Sequence, residues 1–189
     1  MLNVDDQVKK LAAVTSVMFL AVAEAMAQDK GRPARRIVIS IPDRKLAVME
    51  SDRVVRVFAT AVGAPKTPSP TGTFEIVNQI PDPTWYTKGK VVGPGPANPL
   101  GTRWMGLSLK GYGIHGTNAP GSIGRNASHG CIRMRNHDVE TLFEMVAVGD
   151  VVELHGERTP ELALIFGTPI ESVTVVAQAE MPVRTGSLQ

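Results

Sequence analysis

With one cysteine in 189 residues, the chain cannot form an internal disulfide, so the Cys131 thiol either stays free or pairs with another chain. No basic run is long enough to follow a phosphate backbone, which sets nucleic acid aside as a partner. There is no internal repeat. The main apolar run of the N-terminus, Leu11 to Ala23, holds 13 residues, too few to span a bilayer comfortably. No carboxylate lies close in sequence to His115, His129 and Cys131, and arginines surround them, which disfavours a zinc site built from those three.

What the N-terminus does hold is the pattern of an export leader. Lys9 and Lys10 precede the apolar run, and Ala25-Met26-Ala27 supplies small residues for cleavage. We therefore expect a signal peptide over residues 1–27 and a periplasmic product. Losing Lys9, Lys10, Asp5, Asp6 and Glu24 with the leader moves the net charge from +2 to +3, a mild attraction to an anionic polymer. A free thiol in an oxidising compartment is at risk, so its presence points to a reactive role. The alternative is an inert, buried cysteine in an apolar pocket, and the glycine, histidine and arginine neighbours of Cys131 argue against it.

From Arg36 onward, short β-branched runs alternate with turns: 37–41, 46–49, 54–62, 73–78, 104–109, 112–115, 151–154 and 172–177. This strand content predicts an all-β sandwich or barrel-like fold. One segment has helical spacing, with Val139, Leu142, Phe143 and Val146 over 136–148 and Asn136 as its N-cap. It predicts one short helix after the cysteine. Between Pro65 and Gly101 lie eight of the 14 prolines, together with Trp85 and Tyr86, which reads as an ordered cleft wall. The expected organisation is a catalytic domain over 28–155, an extension over 156–180 carrying one strand, and a disordered tail over 181–189.

Cys131 lies in Ser128-His129-Gly130-Cys131-Ile132-Arg133, 16 residues after His115 in Gly113-Ile114-His115-Gly116-Thr117. Cysteine acyl transfer requires a thiolate, an imidazole, a group that orients the imidazole and backbone donors for the oxyanion. His115 supplies the imidazole, and the small Gly116 lets its carbonyl approach a ring nitrogen. Gly130 permits a tight turn that aims the Gly130 and Cys131 amides at an oxyanion. His129 stays open among a second base, part of the oxyanion wall and a structural role. Arg133, Arg125 and Arg103 are candidates to grip carboxylates; Ser128, Asn118, Tyr112 and Trp104 are candidate cleft residues.

These motifs, with Thr71-Gly72-Thr73-Phe74, Pro83-Thr84-Trp85-Tyr86 and Asn98-Pro99-Leu100-Gly101-Thr102-Arg103, resemble the YkuD-type L,D-transpeptidases, in particular their periplasmic ErfK/YbiS-like branch. The resemblance runs from about Arg36 to Leu154. It implies Cys131 as nucleophile, His115 as proton shuttle, the Gly116 carbonyl as third member, and an oxyanion site framed by His129, Gly130 and Cys131. Arg133 stands where some members carry asparagine. The family also implies no metal, no organic cofactor, peptidoglycan tetrapeptide stems as substrates and carbapenems as covalent inhibitors. The expected reaction releases D-alanine and joins the acyl group to a diamino-acid amine. Water as acceptor would give an L,D-carboxypeptidase, a lipoprotein amine would give wall attachment, and a groove without turnover would be a peptidoglycan-binding module. The oligomeric state is left open.

Overall fold

The computed structural model describes residues 35–167; the expected leader, the strand expected at 172–177 and the tail at 181–189 lie outside them. The described chain opens as a meander of β1 (Arg35–Ser40), β2 (Lys45–Glu50) and β3 (Arg53–Ala59), each antiparallel to the next. Arg44 and Ser51, both at φ 52°, sit in its two turns. The meander follows the sequence pattern closely, since Ile37, Ile39, Leu46 and Val48 suit a pleated surface packed on one face.

The remaining strands are β4 (Val62–Gly63), β5 (Gly72–Pro81), β6 (Trp85–Thr87), β7 (Lys90–Val92), β8 (Arg103–Leu107), β9 (Gly113–His115), β10 (Asn126–Ser128), β11 (Ile132–Arg133) and β12 (Val151–His155). Eight of them form one mixed sheet in the order β11-β9-β8-β5-β12-β1-β2-β3. The ten-residue β5 joins its halves: Gly72–Glu75 pair with β12, and Ile76–Pro81 pair with β8 after a register shift between Ile76 and Asn78. Such a bulge increases local twist. One apolar cluster takes Ile37, Ile39, Leu46 and Val48 from one half and Met105, Ile114 and Ile132 from the other. The mainly β architecture expected from the sequence is therefore present.

Two α-helices, not one, occur among the described residues: α1 (Asn136–Met145) and α2 (Pro160–Phe166). The first lies where the apolar spacing placed it and buries Val139 and Leu142 in the main core. Its N-cap is Arg135 rather than Asn136, because the Asn136 side chain is engaged elsewhere: its Oδ1 accepts the Thr117 N–H at 3.0 Å. The second helix corrects the extension, whose residues 160–166 were not expected to be helical. Thr159 caps it by accepting from the Leu162 N–H, Pro160 starts it, and Gly167 ends it at φ 81°. Leu162 and Phe166 cover Val38, Ala47 and Met49, the β1–β2 face turned away from the main core. That second layer explains why eight of the twelve residues of β1 and β2 are buried, on both faces of the meander.

No helix among the described residues is long and apolar enough to cross a membrane. Because α2 seals the second face of the meander, Leu162→Ala should lower the unfolding free energy by about 2–5 kcal/mol in equilibrium urea titrations. An unchanged midpoint would mean that α2 contributes nothing to the fold.

Candidate active site

The β8–β9–β11 register places Trp104, His115 and Arg133 in one row, since His115 pairs with Trp104 on one side and Arg133 on the other. Directly opposed residues share a sheet face. The Trp104 and His115 rings stack with centroids 5.7 Å apart and planes at 25°. Beyond the row, Arg133 exchanges two backbone hydrogen bonds with Ala61, at 2.8 and 2.9 Å, which fixes the β11 edge.

His115 is 5% exposed, and its Nδ1 lies 2.6 Å from the Gly116 carbonyl oxygen. A carbonyl can only accept, so Nδ1 carries the proton and Nε2 of the neutral ring is left as the acceptor. Burial, with a smaller contribution from Arg133, pushes the His115 pKa down to about 4, against the opposing pull of the Gly116 and Leu100 carbonyls, which favour the charged ring. The Gly116 position is tight: a Cβ there would collide with Asn136 Oδ1. The helix-borne asparagine thereby holds the backbone just after the histidine.

Cys131 sits half-buried between β10 and β11. The preceding Gly130 has φ 112°, and a Cβ on it would come within 2.7 Å of the Tyr112 ring. Only glycine fits both demands. The Cys131 Sγ faces the Gly111 carbonyl at 3.7 Å. Burial raises its pKa, while a backbone hydrogen bond from Gly113 and the charge of Arg133 oppose that rise. Both shifts favour the uncharged forms, a neutral thiol and a neutral imidazole. No hydrogen bond joins the two in this resting arrangement; the Arg133 charge acts on both.

A cavity of about 670 Å³ opens over Cys131, lined by Trp104, Leu100 and Gly111 and by the 80–86 segment, including Asp82, Trp85 and Tyr86. The tryptophan–tyrosine pair belongs to the β6–β7 hairpin, so the expected cleft wall is formed. Ser128, expected to contact substrate, is buried, and its hydroxyl instead donates to the Cys131 carbonyl at 2.5 Å and accepts the Gly130 N–H at 3.0 Å. That engagement also removes the Gly130 amide from the expected oxyanion pair, whereas the Cys131 N–H has no partner among the described residues.

The other candidates divide. Asn118 is exposed and donates to the Ala97 carbonyl, and Tyr112 packs against the core. His129 is exposed with no hydrogen-bond partner among the described residues. Arg103 is held by Asp82 at 3.8 Å and by the Phe143 ring, while Arg125 and Arg133 have no carboxylate partner among the described residues. His115, His129 and Cys131 do not form a metal-ligand group, and no other three such side chains among the described residues do. Sequence reasoning missed the roles of Asn98 and Asn136, amides that bond to backbone groups, the first buried and the second half-buried; the signal for Asn98 was its place in a proline- and glycine-rich stretch that turns back on itself.

The model of the L,D-transpeptidase catalytic domain, YkuD, matches residues 34–154. The chain belongs to this family. YkuD of Bacillus licheniformis is 42% identical over 119 residues, covering 63% of this chain and 64% of that protein. YbiS of Escherichia coli K12 is 48% identical over 99 residues, covering 45% of this chain and 32% of that protein. The chain spans less than two thirds of the length of these relatives. Among solved structures, the L,D-transpeptidase LdtMt1 in complex with imipenem aligns with a TM-score of 0.55 at 22% identity, covering 65% of this chain and 59% of that one, a likeness of fold. The YkuD match contains the whole Trp104–His115–Arg133 row, Cys131 and the β6–β7 hairpin, and ends before α2.

The buried imidazole has a consequence for acid stability. An unfolded histidine takes its proton near pH 6.5, whereas His115 does so only near 4. Between those values the unfolded chain binds more protons, so stability falls as pH drops through the window. Wild type should therefore lose about 2 kcal/mol more than His115→Gln between pH 7 and pH 4.5 in urea unfolding. Equal losses would mean that the ring is not held neutral.

Proposed function

We propose that the protein is an exported L,D-transpeptidase that acts on peptidoglycan tetrapeptide stems through a Cys131 thioester. One observation carries the reading: His115, with Nδ1 committed to the Gly116 carbonyl and Nε2 left as the acceptor, stacks on Trp104, which lines the cavity that contains the chain's only thiol. As Sγ bonds to the carbonyl carbon of the L-centred diamino acid, Nε2 takes the thiol proton. The Cys131 N–H supports the oxyanion, with His129 at the exposed rim. Collapse breaks the bond to D-alanine, whose nitrogen leaves with the proton from His115. A side-chain amine of a second stem then attacks the thioester, His115 takes the amine proton and returns it to sulfur, and the cross-link forms with the thiol restored.

A neutral resting pair suits this order of events. A neutral thiol resists oxidation better than a thiolate, and proton transfer is deferred until substrate occupies the cavity. Arg133, uncommitted to any carboxylate among the described residues, is suited to a stem carboxylate. Water in place of the amine makes the same site a carboxypeptidase, and a lipoprotein amine makes it an attachment enzyme.

Carbapenem reactivity follows from the same chemistry, and the likeness to the imipenem-bound neighbour supports it. Incubation with imipenem should add one drug mass to the wild-type protein, on Cys131, and none to Cys131→Ala. A folded, reduced wild type that stays unmodified would favour a binding module without turnover. His115→Gln should acylate about 100-fold more slowly or worse, the usual range for loss of a general base; a near-normal rate would transfer the base role to His129.

A further inference from the structure

The Asn98-Pro99-Leu100-Gly101 motif lies between the β6–β7 hairpin and β8. Asn98 is fully buried, an uncommon state for asparagine, and every polar atom of its side chain is engaged. Its Nδ2 faces the carbonyls of Pro83 at 2.6 Å, Gly93 at 3.1 Å and Val92 at 3.3 Å. Those residues bracket the β6–β7 hairpin on both sides, the element that carries Trp85 and Tyr86 into the cavity wall. Its Oδ1 accepts the Leu100 N–H at 2.8 Å. Leu100 lines the same cavity, and its carbonyl lies against the His115 ring.

We propose that Asn98 is a positioning residue that locks the base of the β6–β7 hairpin to Leu100, so that the aromatic cleft wall and the backbone beside His115 move as one body. This rests on the reading of the cavity as the acyl-donor site. An isolated two-stranded hairpin is marginally stable in water, and β6 and β7 pair with each other alone. Trp85 is half-buried and Tyr86 is largely exposed, so apolar packing does little to hold the hairpin. Its connection to the body of the protein therefore depends on the buried amide. Three carbonyls on one donor group require an amide nitrogen: a carboxylate of the same shape would repel all of them while keeping the Leu100 contact.

Asn98→Asp separates the two connections. Measured against imipenem, its inactivation constant KI should rise about tenfold, the effect of losing one or two neutral hydrogen bonds, while the limiting acylation rate changes far less. If Asn98 acts through the hairpin, replacing residues 85–92 by Gly-Gly removes the effect, so Asn98→Asp in that shortened protein should alter KI no further. An unaltered KI in folded Asn98→Asp, or an equal effect in both backgrounds, overturns the proposal. Should Asn98→Asp fail to fold, hydrogen exchange on the wild type decides it. The Leu100 amide and the hairpin amides should open with one common free energy; a core-protected Leu100 beside freely exchanging hairpin amides overturns the coupling. Failure of imipenem to modify wild-type Cys131 would instead refute the acyl-transfer reading, and the exchange result would still report on Asn98.

Discussion

Burial of the His115 ring beneath Trp104 is the constraint from which the site's chemistry follows. Removed from water, the ring loses its preference for the charged form, so it remains a base at neutral and mildly acid pH. The same environment raises the Cys131 pKa, which leaves the thiol protonated. Neither group is activated alone. What prepares the pair is orientation, since the Gly116 carbonyl selects the tautomer and Trp104 fixes the ring plane. Arg133 completes the row as a cation that lowers both pKa values and so partly offsets burial at the thiol.

Two asparagines, Asn98 buried and Asn136 half-buried, extend that constraint outward. Asn136, at the start of α1, holds the Thr117 amide and packs against Gly116, linking the helix to the strand end that carries the imidazole. Asn98 links the cleft hairpin to Leu100, whose carbonyl lies against the ring. Both amides satisfy backbone groups that would otherwise be stranded away from water, each at a substantial energetic penalty. Ser128 does the same for the cysteine loop, bonding the Gly130 amide and the Cys131 carbonyl together. The reactive groups therefore rest on polar contacts made by residues that do no chemistry themselves.

The meander was legible because its periodicity and turns are local properties. The paired strands β4 and β10 were not, being two or three residues long and stabilised by partners far away in sequence. The Pro160–Phe166 helix was missed for a different reason: Thr159-Pro160-Glu161 is a sound start signal, but seven residues are too few to display a helical period. The β6–β7 hairpin was anticipated as a cleft wall from its aromatics, though not as paired strands. Ser128 and the Gly130 amide were assigned to substrate and oxyanion because the motif alone does not reveal that they bond to each other.

Composition and motif determined the reactive groups themselves: one thiol in the chain, a glycine-flanked histidine 16 residues before it, and arginines nearby. They also determined the mainly β character, because alternation and turn chemistry act over a few residues. Tertiary structure alone decided the protonation state of the pair, since desolvation depends on which side chains from β8, β9 and the cysteine loop surround each group. It alone decided that Arg133, His115 and Trp104 form one row, because that depends on strand register between segments 10 or more residues apart. And it alone turned Asn98 from one polar residue in a proline-rich stretch into a buried amide that joins two parts of the site.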